Sequence, residues 1–98
     1  MYYVYILQSL KDKTFYIGYS NSIERRIKEH NRGKGRFTGK HMPWEILYYE
    51  AFQNEFLAKH REKMLKESGR AWQELRKRLG INHREKQSLI DPSQIKLL

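Results

Sequence analysis

The fold is decided by the stretch Tyr2-Tyr3-Val4-Tyr5-Ile6-Leu7-Gln8, followed closely by Thr14-Phe15-Tyr16-Ile17-Gly18-Tyr19. Both runs are rich in aromatic and β-branched residues, which favour strands. The largely polar residues 9–13 between them suit a turn. The two runs therefore predict a β-hairpin.

The hairpin register can be predicted by pairing its tyrosines. The predicted pairs are Tyr5 with Tyr16, Leu7 with Thr14, and Tyr3 with Gly18. Since side chains alternate between the faces of a strand, one face would be rich in tyrosine and the other apolar. The apolar face would carry Val4, Ile6, Phe15 and Ile17. The other face would hold two phenol hydroxyls side by side.

The next segments predict a helix, a loop and a third strand. Asn21 and Glu24 fit a capping box that opens a helix through about Asn31. Residues 32–43 mix glycines with basic residues, which is typical of a mobile basic loop with no regular structure. A third strand is predicted over residues 45–52.

Two helices complete the predicted order ββαβαα. Asn54 caps the first, which stops near Gly69, and the second ends at Gly80. Their apolar faces are predicted from Leu57, Ala58, Met64 and Leu65, and from Trp72, Leu75 and Leu79. This is an α/β (α+β) fold with a three-stranded antiparallel sheet flanked by helices. Residues 1–80 would form one domain and 81–98 a tail, either loose or docked as a short helix.

Composition narrows the function. With 98 residues the chain can build one core, so catalysis and binding would share one domain. The net charge of +9 favours nucleic acid over an anionic membrane as the partner. The absence of cysteine excludes disulfides and thiolate-bound metals. With no leader peptide and no apolar run near the ~20 residues that span a bilayer, we expect a soluble cytoplasmic protein.

The hairpin resembles a known enzyme family. Tyr3-Val4-Tyr5 and Tyr16-Ile17-Gly18 are similar to the two namesake motifs of the GIY-YIG nucleases. The resemblance continues through Arg26, His30 and residues 58–66, and is greatest to small stand-alone predicted endonucleases. It implies a metal-dependent endonuclease that hydrolyses phosphodiester bonds in nucleic acid, with DNA favoured over RNA.

The resemblance also implies roles for five residues. Tyr16 would be the general base, assisted by Tyr5. Arg26 would bind phosphate, and His30 would relay a proton or bind the scissile phosphate. Glu62 would hold a single Mg²⁺ or Mn²⁺. A phenol near pKa 10 needs positive charge to act as a base at neutral pH, which Arg26, His30 and the metal could supply.

Each of these residues also has an ordinary structural interpretation. Tyr5 and Tyr16 could be amphipathic sheet residues, and His30 a half-buried histidine bonded to backbone. Glu62 could form a salt bridge with Lys66, one helical turn away. These alternatives stay open on sequence alone.

The remaining candidates concern substrate contact. Gly18, opposite Tyr3 in the predicted register, would leave room for backbone or phosphate to approach. The residues predicted to track nucleic-acid phosphates are Arg32, Lys34, Arg36, Lys40, His41 and Lys66. His41 could instead be an ordinary loop histidine. Trp44 and Trp72 are predicted to be core residues.

Three positions depart from the family pattern. Tyr3 replaces the glycine of the first motif, Tyr19 stands where some relatives carry lysine, and Gln73-Glu74 where many carry asparagine. A non-catalytic nucleic-acid binder with the same fold is therefore the first rival function. A protein-interaction module that meets an acidic partner is the second. Double-strand cutting from one metal site would require a homodimer or a partner protein.

Overall fold

The computed structural model of the protein describes residues 1–33 and 35–81. Its elements are β1 (Tyr2–Ser9), β2 (Phe15–Ser20), α1 (Ile23–Asn31), α2 (Arg36–His41), β3 (Trp44–Phe52), α3 (Glu55–Glu67) and α4 (Gly69–Leu79). The antiparallel sheet has the order β2-β1-β3. The predicted α+β fold with a three-stranded sheet and flanking helices is confirmed. All but the first residue of the predicted tail lies outside the described residues.

The hairpin forms as predicted, but its register is shifted by two residues. The observed pairs are Tyr3 with Ser20, Tyr5 with Gly18, and Leu7 with Tyr16. The cause is the turn, where the Ser9 hydroxyl accepts hydrogen bonds from the backbone of Lys11 and Asp12 at 3.0 and 3.1 Å. Ser9 N also donates to Thr14 O at 2.8 Å, so β1 continues to Ser9. An even shift keeps every side chain on its predicted face.

The prediction that residues 32–43 have no regular structure is wrong, because residues 36–41 form α2. A glycine-rich sequence has little local preference for helix, so α2 is stabilised by tertiary contacts. The Phe37 ring lies 6.1 Å from the Tyr16 ring, and Trp44 Nε1 donates to Thr38 O at 2.9 Å. The element order is therefore ββααβαα.

Two clusters of buried side chains lie on opposite faces of the sheet. The hydrocarbon core, packed against α3 and α4, comprises Val4, Ile6, Phe15, Ile17, Ala58, Leu65, Trp72 and Leu75. The aromatic core, packed against α1 and α2, comprises Tyr5, Leu7, Tyr16 and Trp44. The predicted faces of the hairpin and the predicted burial of both tryptophans are confirmed.

The helices differ from prediction in two details. Ser22, not Asn21, caps α1, and its hydroxyl accepts from Arg25 N at 3.4 Å. On α3, Leu57 and Met64 were expected in the core but are 50% and 41% exposed, because the core takes only the Ala58 and Leu65 side of the helix. Within residues 1–33 and 35–81, no helix has the length and apolar character needed to cross a membrane.

Candidate active site

Three of the predicted site residues meet on the aromatic face of the sheet. Tyr5 and Tyr16 come from the adjacent strands β1 and β2, and His30 comes from the last turn of α1; all three are at most 1% exposed. The Tyr5 hydroxyl lies 3.1 Å from His30 Nε2. The Tyr16 and His30 rings are 4.9 Å apart and meet edge to face. The fold therefore brings together two phenols and an imidazole, far apart in sequence, in a water-poor setting.

Gly18 makes this arrangement possible in a different way from the one expected. A Cβ atom at Gly18 would lie 2.4 Å from both Cζ and the hydroxyl oxygen of Tyr5. The expectation that Gly18 leaves room for backbone or phosphate is wrong, because the observed register places Tyr5 opposite it. The phenol ring of Tyr5 fills the space that a side chain at position 18 would occupy.

The Tyr16 hydroxyl is buried and has no hydrogen-bond partner in the described part of the chain. Burial raises the pKa of Tyr16 well above its usual range, and the neighbouring Tyr5 adds to this, while Arg26 opposes it. Burial likewise raises the pKa of Tyr5 to about 12. Both are therefore neutral phenols at pH 7. An unsatisfied buried hydroxyl costs about 1–3 kcal/mol, so this group is not placed there for stability.

His30 is held neutral. Burial, together with the charge of Arg26, lowers its pKa from 6.5 to about 4, against the opposing effect of Glu29. A neutral imidazole can accept a hydrogen bond from the Tyr5 hydroxyl at Nε2, while its buried Nδ1 has no partner among the described residues. The expectation that His30 supplies positive charge to a phenolate does not fit this environment.

Arg26 lies one helical turn before His30 and at the rim of the cluster. Its side chain is 25% exposed, and its Nη1 is 2.6 Å from Glu29 Oε1. Its buried Nε has no partner in the described residues. The guanidinium thus lies next to the two phenols, with Nε on its buried side and another part of the side chain open to solvent. A phosphate could be bound there.

Glu62 and Lys66 of α3 form the salt bridge that the sequence offered as an alternative to a metal site. Lys66 Nζ is 3.1 Å from Glu62 Oε2, with side-chain exposures of 10% and 13%. The same ammonium lies 6.0 Å from the centre of the Tyr16 ring. Burial lowers the pKa of Lys66 while Glu62 opposes this. Lys66 is thus part of the cluster and not of an exposed phosphate-tracking surface.

The donor set near Glu62 limits how an ion could be held. Within residues 1–33 and 35–81, no group of three or more Asp, Glu and His side chains could enclose a metal. Lys66 is the one described residue that bonds to the Glu62 carboxylate, and it uses Oε2. The other oxygen suits a cation such as Mg²⁺, which commonly takes one carboxylate and completes its shell with water and phosphate oxygens.

The predicted phosphate-tracking residues do not form one surface. Arg32, Arg36 and Lys40 are exposed near α2, whereas Lys34 lies outside the described residues. His41 Nδ1 is 2.5 Å from Asp12 Oδ2, and its ring is 4.6 Å from that of Phe37. His41 is thus used to attach α2 to the hairpin turn.

Of the residues that enclose Tyr16, Phe37 and Thr38 were not predicted, whereas Trp44 was predicted to be a core residue. The rings of Phe37 and Trp44 each lie 6.1 Å from the Tyr16 ring, and Thr38 is fully buried beside them. The single signal in the sequence was Phe37, an aromatic residue inside an otherwise basic and glycine-rich stretch.

Known proteins share this architecture. A family model, the GIY-YIG catalytic domain, matches residues 1–78. A UPF0213 protein of Clostridium perfringens is 43% identical over 67 residues, covering 67% of this chain and 71% of the relative. Another, from Natronomonas pharaonis, is 39% identical over 74 residues, covering 74% and 86%. The solution NMR structure of a UPF0213 protein from Bacillus halodurans has a TM-score of 0.50 at 34% identity, covering 87% of this chain and 92% of that one.

Proposed function

The chain belongs to the GIY-YIG family, and from that premise we propose that it is a metal-dependent endonuclease that hydrolyses phosphodiester bonds in nucleic acid, DNA before RNA. The observation that carries the proposal is the buried Tyr16 hydroxyl, which lies beside His30 and Arg26 and has no partner among residues 1–33 and 35–81. The family's nucleases generally use divalent metals. Neither of the two curated relatives named above has a name that states an activity.

Arg26 is the proposed phosphate ligand. Glu29 accepts from Nη1 of its guanidinium, and the side chain is 25% exposed, so a phosphate oxygen can approach the part of the group that is open to solvent. A fork of N–H donors neutralises charge that develops on the phosphoryl group in the transition state. The net charge of +9 and the exposed Arg36 and Lys40 on α2 supply attraction that does not depend on sequence.

Tyr16 is proposed to orient the attacking water and take its proton. To take that proton Tyr16 must first release its own proton to solvent, and burial opposes this at pH 7 unless positive charge approaches the phenol oxygen. The charge of Arg26 already opposes the rise in the pKa of Tyr16. A Mg²⁺ or Mn²⁺ ion held by Glu62 would lower the pKa of the attacking water and neutralise phosphate charge.

Tyr5 and His30 are proposed to position Tyr16 and the water. The neutral His30 accepts a hydrogen bond from the Tyr5 hydroxyl, which fixes the Tyr5 ring over Gly18. Tyr5 oxygen is then available as an acceptor next to Tyr16. Proton transfer by positioned groups of this kind is worth roughly 10²–10⁴ in rate.

A second function, nucleic-acid binding without turnover, is favoured by one specific contact. Lys66 occupies the Glu62 carboxylate in a nearly buried salt bridge, so a divalent ion has to compete with an ammonium for its ligand. A protein that retained this pair permanently would bind nucleic acid through its charge and would not cut it. In that case binding would fall steeply with salt and be indifferent to Mg²⁺.

The two functions are separated by a cleavage assay on labelled single-stranded, duplex and branched DNA and on RNA. The intact protein is compared with Glu62→Ala, with and without Mg²⁺ or Mn²⁺, and with a chelator. The nuclease predicts cleavage that needs the ion and is lost in Glu62→Ala. Tight binding with no cleavage of any substrate, unchanged in Glu62→Ala, would establish the binder.

A further inference from the structure

A groove with a volume of about 410 Å³ opens beside the candidate active site, at the start of α1. It is lined by Tyr3, Asn21, Ser22, Ile23, Glu24 and Tyr49. The rings of Tyr3 and Tyr49 meet edge to face, with centres 5.9 Å apart and planes at 69°. Tyr49 is 55% exposed. None of these residues has a part in the proposed hydrolysis.

We propose that this groove binds one unpaired nucleobase of the substrate, stacked on Tyr49; the inference rests on the proposed nuclease function. An edge-to-face contact with Tyr3 uses at most one face of the Tyr49 ring and holds the ring in place. The other face stays available to a flat partner. Aromatic residues bind single-stranded nucleic acid in this way, and every base has a suitable face.

The charges of the groove favour a base over a phosphate. No lysine or arginine lines the groove itself, the Arg25 guanidinium lies at its margin bonded to Asn21, and Glu24 would repel a phosphate. A carboxylate instead accepts hydrogen bonds from base amino groups. Asn21 uses its Oδ1 to accept from Arg25 Nη2 at 3.0 Å, which leaves its amide N–H groups as donors. The groove also falls in the size range of sites for small ligands.

The distance to the active site fits one continuous strand. Tyr49 is the register partner of Tyr5, and Tyr3 is two residues from Tyr5 along β1. Two residues of a strand span about 6.6 Å, so Tyr3 and the groove lie close to Tyr5. A strand with a phosphate at Arg26 would therefore bring a neighbouring base to the groove. Since paired bases stay inside the duplex, the preferred substrate is single-stranded or carries an unpaired nucleotide.

Binding of short DNA strands that carry 2-aminopurine, measured without divalent ion, tests the inference. Stacking on Tyr49 quenches the fluorescent base when it occupies the groove. Tyr49→Ala should abolish the quenching and weaken binding about 5- to 100-fold, the range for one stacked base. Tyr49→Phe keeps the ring and should bind like the intact protein. Because no phosphate contact is lost, the salt dependence of affinity should not change.

An abasic site moved along the strand makes the test independent of any effect of Tyr49→Ala on folding. At the position whose base occupies the groove, the abasic site should weaken binding by the intact protein as much as Tyr49→Ala does. Combining the abasic site with Tyr49→Ala should cause no further loss. Equal affinity of Tyr49→Ala and intact protein for every strand would overturn the inference, and so would additive losses. If quenching is found but no substrate is cut with Mg²⁺ or Mn²⁺, the nuclease proposal fails and the base site stands. If a substrate is cut but no quenching is found, the base site fails and the nuclease proposal stands.

Discussion

The two faces of the sheet are built from the same two strands, yet their interiors differ in kind. The hydrocarbon core contains no polar atom apart from the Trp72 indole nitrogen, and its members are at most 2% exposed. The aromatic core is buried to the same degree but contains the hydroxyls of Tyr5 and Tyr16 and borders His30 and Thr38. Seven buried side-chain atoms have no partner among the described residues. Tyr16 OH, Arg26 Nε, His30 Nδ1 and Thr38 Oγ1 lie on or beside this face, and Trp72 Nε1, Arg76 Nε and Arg76 Nη2 belong to α4 on the other.

The two faces of the sheet therefore contribute differently to stability and to the candidate site. Burial of hydrocarbon stabilises a fold at about 25 cal/mol per Å², whereas each unsatisfied buried polar group costs about 1–3 kcal/mol. Three of the four on the aromatic face belong to the proposed catalytic residues Tyr16, Arg26 and His30, whereas Trp72 and Arg76 have no part in the proposed hydrolysis. The hydrocarbon core, with eight buried residues against four, contributes the larger share of apolar burial.

The largest expected effect is on the hydrocarbon face. Leu65→Ala removes a fully buried side chain and should lower the free energy of unfolding by about 2–5 kcal/mol, with cleavage per folded molecule unchanged. Leu57→Ala on the same helix is the control, because this leucine is 50% exposed and should change stability by only about 0.5 kcal/mol. Urea unfolding measures both. Equal effects of the two changes would contradict the assignment of Leu65 to the hydrocarbon core.

Acid should weaken the aromatic face through His30. Because folding lowers its pKa from 6.5 to about 4, the unfolded chain takes up a proton at higher pH than the folded chain. The stability due to neutral His30 is full above pH 6.5 and is lost as the pH falls towards 4, by up to about 3 kcal/mol. Unfolding of intact protein and His30→Gln at a series of pH values checks this. His60→Gln is the exposed control, and a pH dependence that His30→Gln leaves intact would contradict the assignment.

Gly18→Ala tests how tightly Tyr5 occupies the space above β2. The new methyl group would meet the phenol at 2.4 Å, which should cost about 1–3 kcal/mol of stability and displace Tyr5 from His30. Gly69→Ala is the matched control, since its methyl group meets nothing within 4 Å at the start of α4. Thermal unfolding of both variants is the measurement. A Gly18→Ala protein as stable as the intact chain would show that the ring can move aside at little cost.

Much of the fold could be predicted from the sequence because strand alternation is a local signal. The faces of β1 and β2 follow from period two, and an even error in register leaves them unchanged. The register itself could not be predicted, because it depends on the Ser9 hydroxyl, which caps the turn through contacts with Lys11 and Asp12. α2 was missed for a related reason: it depends on the packing of Phe37 and Trp44 around Tyr16.

The candidate site was predictable in its members but not in its electrostatics. Motif spacing identified the tyrosines, Arg26 and His30, and the fold brings them together. Sequence could not indicate that burial would raise the pKa of Tyr16 and lower that of His30, because both shifts depend on enclosure by distant residues. It also left open the choice between a metal and Lys66 at Glu62, and the structure contains the ion pair.

The most direct test of the central claim is Tyr16→Phe, measured for both cleavage and stability. The change removes one unsatisfied hydroxyl and keeps the ring, so the free energy of unfolding should stay within about 1 kcal/mol of the intact protein or rise. Cleavage in the presence of Mg²⁺ or Mn²⁺ should fall by about 10²–10⁴. A variant that cuts nucleic acid as fast as the intact protein would contradict the claim that the aromatic face carries the chemistry.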